Sequence, residues 1–183
     1  FFSTAMADLI KKADELQSQG SMQQVYDLLN DAMKERGKDV EVVWRYARAC
    51  YQLGDEKEDK TWRQEHIVQG LKHARKALEL DATNPRAHKW MGICLSGMGD
   101  FLPTKEKIGN AFVIEEHWQK ALQTDPSDAT VHHCLGAWCT NITNISWIER
   151  KAAAVLFATP PTSTYEEAEG HYLKAAKLDP TFV

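Results

Sequence analysis

The 183-residue sequence predicts an all-α fold: a solenoid of stacked helix hairpins with about nine helices. Three observations carry this. A helix-end block recurs as Lys76-Ala77-Leu78-Glu79-Leu80-Asp81, Lys120-Ala121-Leu122-Gln123-Thr124-Asp125 and Lys174-Ala175-Ala176-Lys177-Leu178-Asp179, each followed at once or shortly by Pro85, Pro126 or Pro180. Small residues return at a fixed offset, since Ala32 leads to Ala47, Ala77 to Gly92 and Ala121 to Gly136, always fifteen residues on. No segment alternates apolar and polar residues as a half-buried strand would.

The elements follow in four units, about 6–39, 40–84, 85–128 and 129–183, in one array over 1–183. Ala13 and Ala32 mark the two helices of the first unit, with Gly20 turning the chain between them. In the second, Val43 and Tyr46 flank Ala47, and Gly54-Asp55 is the turn. Ile67, Leu71, Ala74 and Leu78 then form a helical stripe behind Asp59 or Thr61. In the third, Met91 and Leu95 flank Gly92, and Gly99-Asp100-Phe101 is the turn. Ala111, Ile114, Trp118 and Ala121 form the stripe behind Pro103-Thr104. In the fourth, Leu135 and Cys139 surround Gly136. Ser146 caps an extra helix running through Trp147, Glu149, Arg150 and on to Phe157, and Pro160-Pro161 ends it. Thr164 caps the last helix, with Glu167 at capping-box spacing and Ala175 near its end. The structural positions are thus Ala13, Ala32, Ala47, Ala77, Gly92, Ala121, Gly136 and Ala175. Helices cross closely only where a side chain is small, and one hairpin cannot bury its apolar face alone.

Composition narrows the function. With 43% hydrophobic, 26% charged and 9% aromatic residues, the chain has a packed core and is not disordered. A net charge of −4 gives no global basic field, so nucleic acid is not an expected partner. No stretch approaches the ~18 apolar residues of a membrane span. Cys50, Cys94, Cys134 and Cys139 show no zinc-ligand spacing and are read as reduced thiols of a cytosolic protein. His132-His133-Cys134 with Cys139 is set aside as a metal site, because both cysteines fall on the core side of the repeat. No phosphate-binding loop, nucleophile elbow or zinc-protease motif occurs, so neither an enzyme nor a cofactor is expected. The chain opens on Phe1-Phe2 and closes on Pro180-Thr181-Phe182-Val183 with no further helix. It is therefore expected to be part of a longer chain, or to have its last face covered by another molecule.

Met91-Gly92-Ile93-Cys94-Leu95 with Gly99-Asp100-Phe101, and Ala168, Tyr172, Ala175 and Pro180, resemble the tetratricopeptide pattern of about 34 residues. Ala13 to Ala47 spans 34 residues, whereas the next two periods span 45 and 44. The second and third units thus carry longer second helices, and the fourth carries the extra helix. Ser146-Trp147-Ile148-Glu149-Arg150-Lys151 and the alanine run after it, Tyr165-Glu166-Glu167-Ala168, Lys105-Glu106-Lys107-Ile108, Glu116-His117-Trp118 and Leu135-Gly136-Ala137-Trp138-Cys139 are similar to the regulator of microtubule dynamics family. The resemblance implies a cytoplasmic domain that associates with microtubules and the mitotic spindle and acts in chromosome segregation. It implies as an alternative the phospholipid binding of a mitochondria-associated branch. A general protein scaffold is a third reading.

In such an array the first helices line the concave groove. Positions just past each core residue then select Trp44, Arg45, Arg48 and Tyr51, then Arg86, Lys89 and Trp90, then His133. The groove is expected to be locally basic and aromatic, suited to the acidic tails of tubulin or to an anionic phospholipid headgroup. The plainer reading makes Trp44 and Trp90 core residues and the arginines solvated. Arg150 is expected to hold the extra helix against its neighbour.

Overall fold

The computed structural model describes residues 2–156 and 161–182. It contains α1 (Phe2–Ser18), α2 (Met22–Arg36), α3 (Val40–Gly54), α4 (Lys60–Leu80), α5 (Pro85–Met98), α6 (Thr104–Thr124), α7 (Ala129–Thr143), α8 (Trp147–Leu156) and α9 (Tyr165–Leu178), followed by a 3-10 turn at Pro180–Phe182. Among the described residues there are nine α-helices and no strand. The expected end of the extra helix at Phe157, and its stop at Pro160, lie outside the described residues. Contacts divide the chain into two compact units, Phe1–Cys94 and Leu95–Val183.

Side-chain chemistry sets the helix starts. Asp39 accepts the amide of Glu41, Asp59 those of Thr61 and Trp62, and Asp128 that of Val131. Asn84 does the same for Arg86 and Ala87 at the head of α5. Each bond satisfies an amide that the first turn leaves without an intrahelical partner. Of the two starts expected for α4, Asp59 is the cap. Thr164 and Glu167 form a reciprocal capping box on α9. Ser146 and Glu149 form a second on α8, with Glu149 Oε2 accepting the Ser146 amide at 3.0 Å.

The helix ends repeat one device. The amide of Asp81 donates to Ala77, that of Asp125 to Ala121 and that of Asp179 to Ala175, at 2.8–2.9 Å. Each aspartate then accepts both the amide and the hydroxyl of the residue two further on, Thr83, Ser127 or Thr181. The recurring Lys-Ala block is therefore one C-terminal cap used three times. Gly20, between α1 and α2, has φ of +73°, a left-handed conformation that costs glycine little and other residues more.

In the first unit, Ala13 and Leu16 of α1, Val25 and Leu29 of α2, and Val42, Tyr46, Ala49 and Cys50 of α3 form a buried cluster. The Tyr46 hydroxyl donates to Asn30 and accepts from Gln69, both at 2.8 Å, so its polar end is satisfied. Ala32 lies at the margin of this cluster, while Ala47 and Ala77 are fully buried and Gly92 is buried. A Cβ on Gly70 would lie 3.1 Å from the Ala47 carbonyl and 3.1 Å from Cys94 Sγ, so α3, α4 and α5 meet closely there.

In the second unit, α7 pairs with α9 and α6 packs on α7. A Cβ on Gly136 would stand 2.8 Å from the Tyr172 ring, which requires a glycine at that crossing. Ala121 and Ala175 are buried on α6 and α9. The Trp138 indole donates to the Ala111 carbonyl at 3.0 Å, tying α7 to α6. Arg150 donates to the Ile142 carbonyl at 3.2 Å, which anchors α8. The added length sits where the widened spacing requires it. α4 and α6 have 21 residues each against 15 in α2, and α8 stands between α7 and α9 in the chain.

Candidate functional site

The first-unit candidates sit on two helices. α3 carries Trp44, Arg45, Arg48 and Tyr51, and α5 carries Arg86, Lys89 and Trp90. Their three- and four-residue spacings place each set on one side of its helix. Three guanidinium groups gather around the Trp44 ring, with Cζ of Arg45, Arg48 and Arg86 at 4.2, 5.4 and 5.6 Å from its centre. The Tyr51 and Trp90 rings lie 6.1 Å apart. His133 belongs to the second unit, where its ring meets Tyr172 edge-on at 5.5 Å.

The arginines are not equivalent. Arg45 is 8% exposed. Its Nη2 and Nε grip Asp14 at 2.8 and 3.1 Å, and its Nη1 meets Glu41 Oε2 at 2.7 Å. Burial disfavours the Arg45 charge, but the two carboxylates outweigh burial and raise its pKa. Arg45 therefore holds α1 against α3. Arg48 shares Asp14 through one 3.2 Å contact, and its buried Nε has no hydrogen-bond partner. Burial, with Arg45 and Arg86 nearby, pulls the Arg48 pKa below its ordinary value despite Asp14. Arg86 is exposed and makes no ion pair among the described residues.

Trp44 and Trp90 are 3% and 7% exposed, so their rings belong to the packed interior. Their indole Nε1 atoms are buried and have no hydrogen-bond partner. With Arg48 Nε, this half of the chain holds three buried donors that lack acceptors, each costing on the order of 1–3 kcal/mol. The same half also holds two buried acceptors without donors, Gln17 Oε1 and Gln52 Oε1, so what distinguishes the α3–α5 face is its surplus of positive charge, the complement of a carboxylate or phosphate.

Asp14 and Glu41 are the residues that change this face most. Asp14 follows the small Ala13 as Arg48 follows Ala47, so the two hold equivalent positions in their repeats. Glu41 lies four residues before Arg45, the spacing of a helical ion pair.

Two cavities lie in the second unit. One of about 250 Å³ is lined by Ile108, Ala111, Ile114, Trp138, Ile142 and neighbours, smaller than the ~300–1,000 Å³ of small-molecule sites. The other, about 830 Å³, is an open groove between α7 and α9 that includes His133, Tyr165, Tyr172 and Leu173. Close by, His132 Nδ1 and His171 Nδ1 are 3.2 Å apart. No group of three or more His, Cys, Asp or Glu suited to a metal ion occurs among the described residues. No helix there is long and apolar enough to cross a membrane.

Paired helices with small-residue crossings and a repeated aspartate cap define an all-α, tetratricopeptide-like helix-hairpin protein. Solved structures share this fold. A thermophilic TPR protein from Thermus thermophilus gives a TM-score of 0.61 at 12% identity, covering 92% of this chain and 80% of its own. MamA from Desulfovibrio magneticus gives 0.53 at 16% identity, covering 94% and 75%. The chain belongs to the family described as Regulator of microtubule dynamics protein 1-3, whose model matches residues 9–183. Regulator of microtubule dynamics protein 1 from Bos taurus is 38% identical over 179 residues, 96% of this chain and 55% of that protein. Regulator of microtubule dynamics protein 3 from Xenopus laevis is 33% identical over 176 residues, 95% and 38% respectively. The chain thus spans little more than half of the first of these relatives.

Proposed function

We propose that this chain is a non-catalytic binding module that associates with microtubules and regulates their dynamics in the cytoplasm, at the spindle during chromosome segregation. Its basic α3–α5 face recognises the acidic tails of tubulin. The observation that carries this is the arginine cluster on Trp44. Asp14 and Glu41 pair with Arg45, and Asp14 also pairs with Arg48, but Arg86 stands exposed without an ion pair among the described residues. An acidic peptide supplies the carboxylate that the exposed Arg86 lacks. The names of the relatives support the same target. Lys89, on the same helix as Arg86, extends the positive charge.

The test is co-sedimentation with microtubules before and after proteolytic removal of their acidic tails. Binding that depends on the tails and weakens with salt supports the reading. Equal binding to stripped microtubules overturns tail recognition. No sedimentation by the folded chain overturns direct microtubule binding, and vesicles of anionic phospholipid are then the next probe.

A further inference from the structure

The groove between α7 and α9 corresponds, through the internal repeat, to a surface that a helix covers in the first unit. Aligning Ala47 with Gly136 places His133 where Trp44 stands and Thr140 where Tyr51 stands. Aligning Ala77 with Ala175 places Ala168 where Gly70 stands. In the first unit these three positions are covered by one helix, α5. Arg86 lies over Trp44, Trp90 meets Tyr51, and Cys94 Sγ presses on Gly70. Those three α5 residues are four apart, so one helix face makes all the contacts. Around His133, Thr140 and Ala168 there is instead the groove of about 830 Å³. Its apolar wall is left in solvent, with Leu173 64% and Tyr165 57% exposed.

We propose that this groove docks an amphipathic α-helix with a basic flank, laid across α7 and α9 as α5 lies across α3 and α4. Charge selects the occupant. Glu166 and Glu169 line the groove, and no lysine or arginine does. The docked helix carries apolar residues at four-residue spacing against Leu173, Tyr165 and Tyr172, and Lys or Arg opposite the two glutamates. This site does not depend on tubulin recognition by the first unit.

The probe is a fluorescein-labelled helical peptide with Leu at every fourth position and Lys along one flank, beside a twin with Glu in place of Lys. Fluorescence anisotropy is expected to show the Lys peptide binding the chain and the Glu twin binding at least about tenfold more weakly. Leu173→Asp, at an exposed position that leaves the fold intact, is expected to weaken the Lys peptide at least about tenfold. Glu166→Lys with Glu169→Lys is expected to reverse the preference between the two peptides. No binding of either peptide, equal binding of both, or wild-type affinity in Leu173→Asp would overturn the proposal. A Leu173-dependent dimer in sedimentation velocity would overturn it as well, by making a second copy the occupant.

Discussion

Asp14 holds two arginines at once: its Oδ2 accepts Arg45 Nη2 at 2.8 Å and its Oδ1 accepts Arg48 Nη2 at 3.2 Å. One carboxylate on α1 thereby fixes two cations of α3. Asp14→Asn keeps the shape and removes the charge. It is expected to lower unfolding stability by about 1–2 kcal/mol, the low side for charged hydrogen bonds because the carboxylate is partly exposed. Burial alone would raise the Asp14 pKa, but Arg45 and Arg48 together hold it below its ordinary value. A carboxylate with a depressed folded pKa contributes stability above its unfolded pKa and loses it as pH falls through the folded value. Urea midpoints of wild type and Asp14→Asn should therefore differ at pH 7 and converge below about pH 4.

Glycine substitutions in the second unit should have opposite signs at two positions. Gly136→Ala gains the helix propensity of alanine, about 0.5–1 kcal/mol, but drives a methyl to 2.8 Å from the Tyr172 ring. Overpacking costs about 1–3 kcal/mol, so a net loss is expected. Gly170→Ala meets nothing within 4 Å and should gain about 0.5–1 kcal/mol. Thermal unfolding of the two variants checks both signs.

Three histidines predict acid sensitivity. Burial lowers the pKa of His73 to about 4 and depresses His132 and His171. His132 contacts the Pro126 carbonyl through Nε2, which makes that nitrogen the donor, so its Nδ1 accepts from His171. A second proton on this pair would break the bond and place two charges side by side. Because the folded pKa values lie below the unfolded ones, the unfolded state binds more protons as pH falls. Stability is fully present above about pH 6.5 and declines towards pH 4. Urea unfolding at pH 7 and pH 5 should show the loss, and His171→Gln should reduce it.

Thiol reactivity should follow burial. Burial pushes the Cys50 thiol up to about 12 and raises Cys94 and Cys139 as well. Cys134 is the one thiol that is only half-buried. Alkylation of the native chain, read by mass spectrometry, is expected to label Cys134 first and the other three only on unfolding.

Local chemistry made most of the fold legible. Each Lys-Ala block ends on an aspartate whose backbone and side chain close the helix, so recurrence at Asp81, Asp125 and Asp179 reported three equivalent ends before any packing was known. Widened spacing located the longer α4 and α6 because added residues in a helix preserve its stripe. The basic–aromatic face was legible only as a set. Register chose Trp44, Arg45, Arg48 and Arg86, and these do gather. Register carries no information on which cation a distant carboxylate neutralises, and that is decided by Asp14 of α1 reaching Arg45 across the fold. The depth at which Trp44 and Trp90 sit was equally hidden, because a tryptophan beside a small crossing residue suits a core and a groove wall alike. The α7–α9 groove is hidden in the sequence for a related reason: Tyr165 and Leu173 fit an ordinary helical stripe, and only their exposure among the described residues sets them apart.

Charge reversal at the exposed Arg86 and the half-buried Lys89 tests the account most directly. Arg86→Glu combined with Lys89→Glu leaves the Asp14–Arg45 clamp untouched and should not change the melting temperature by more than a few degrees. In microtubule co-sedimentation across a salt series, the wild-type chain is expected to bind and to weaken as salt rises. The double variant is expected to bind about tenfold more weakly or not at all. A double variant that sediments with wild-type affinity and wild-type salt dependence would contradict recognition of tubulin tails by this face.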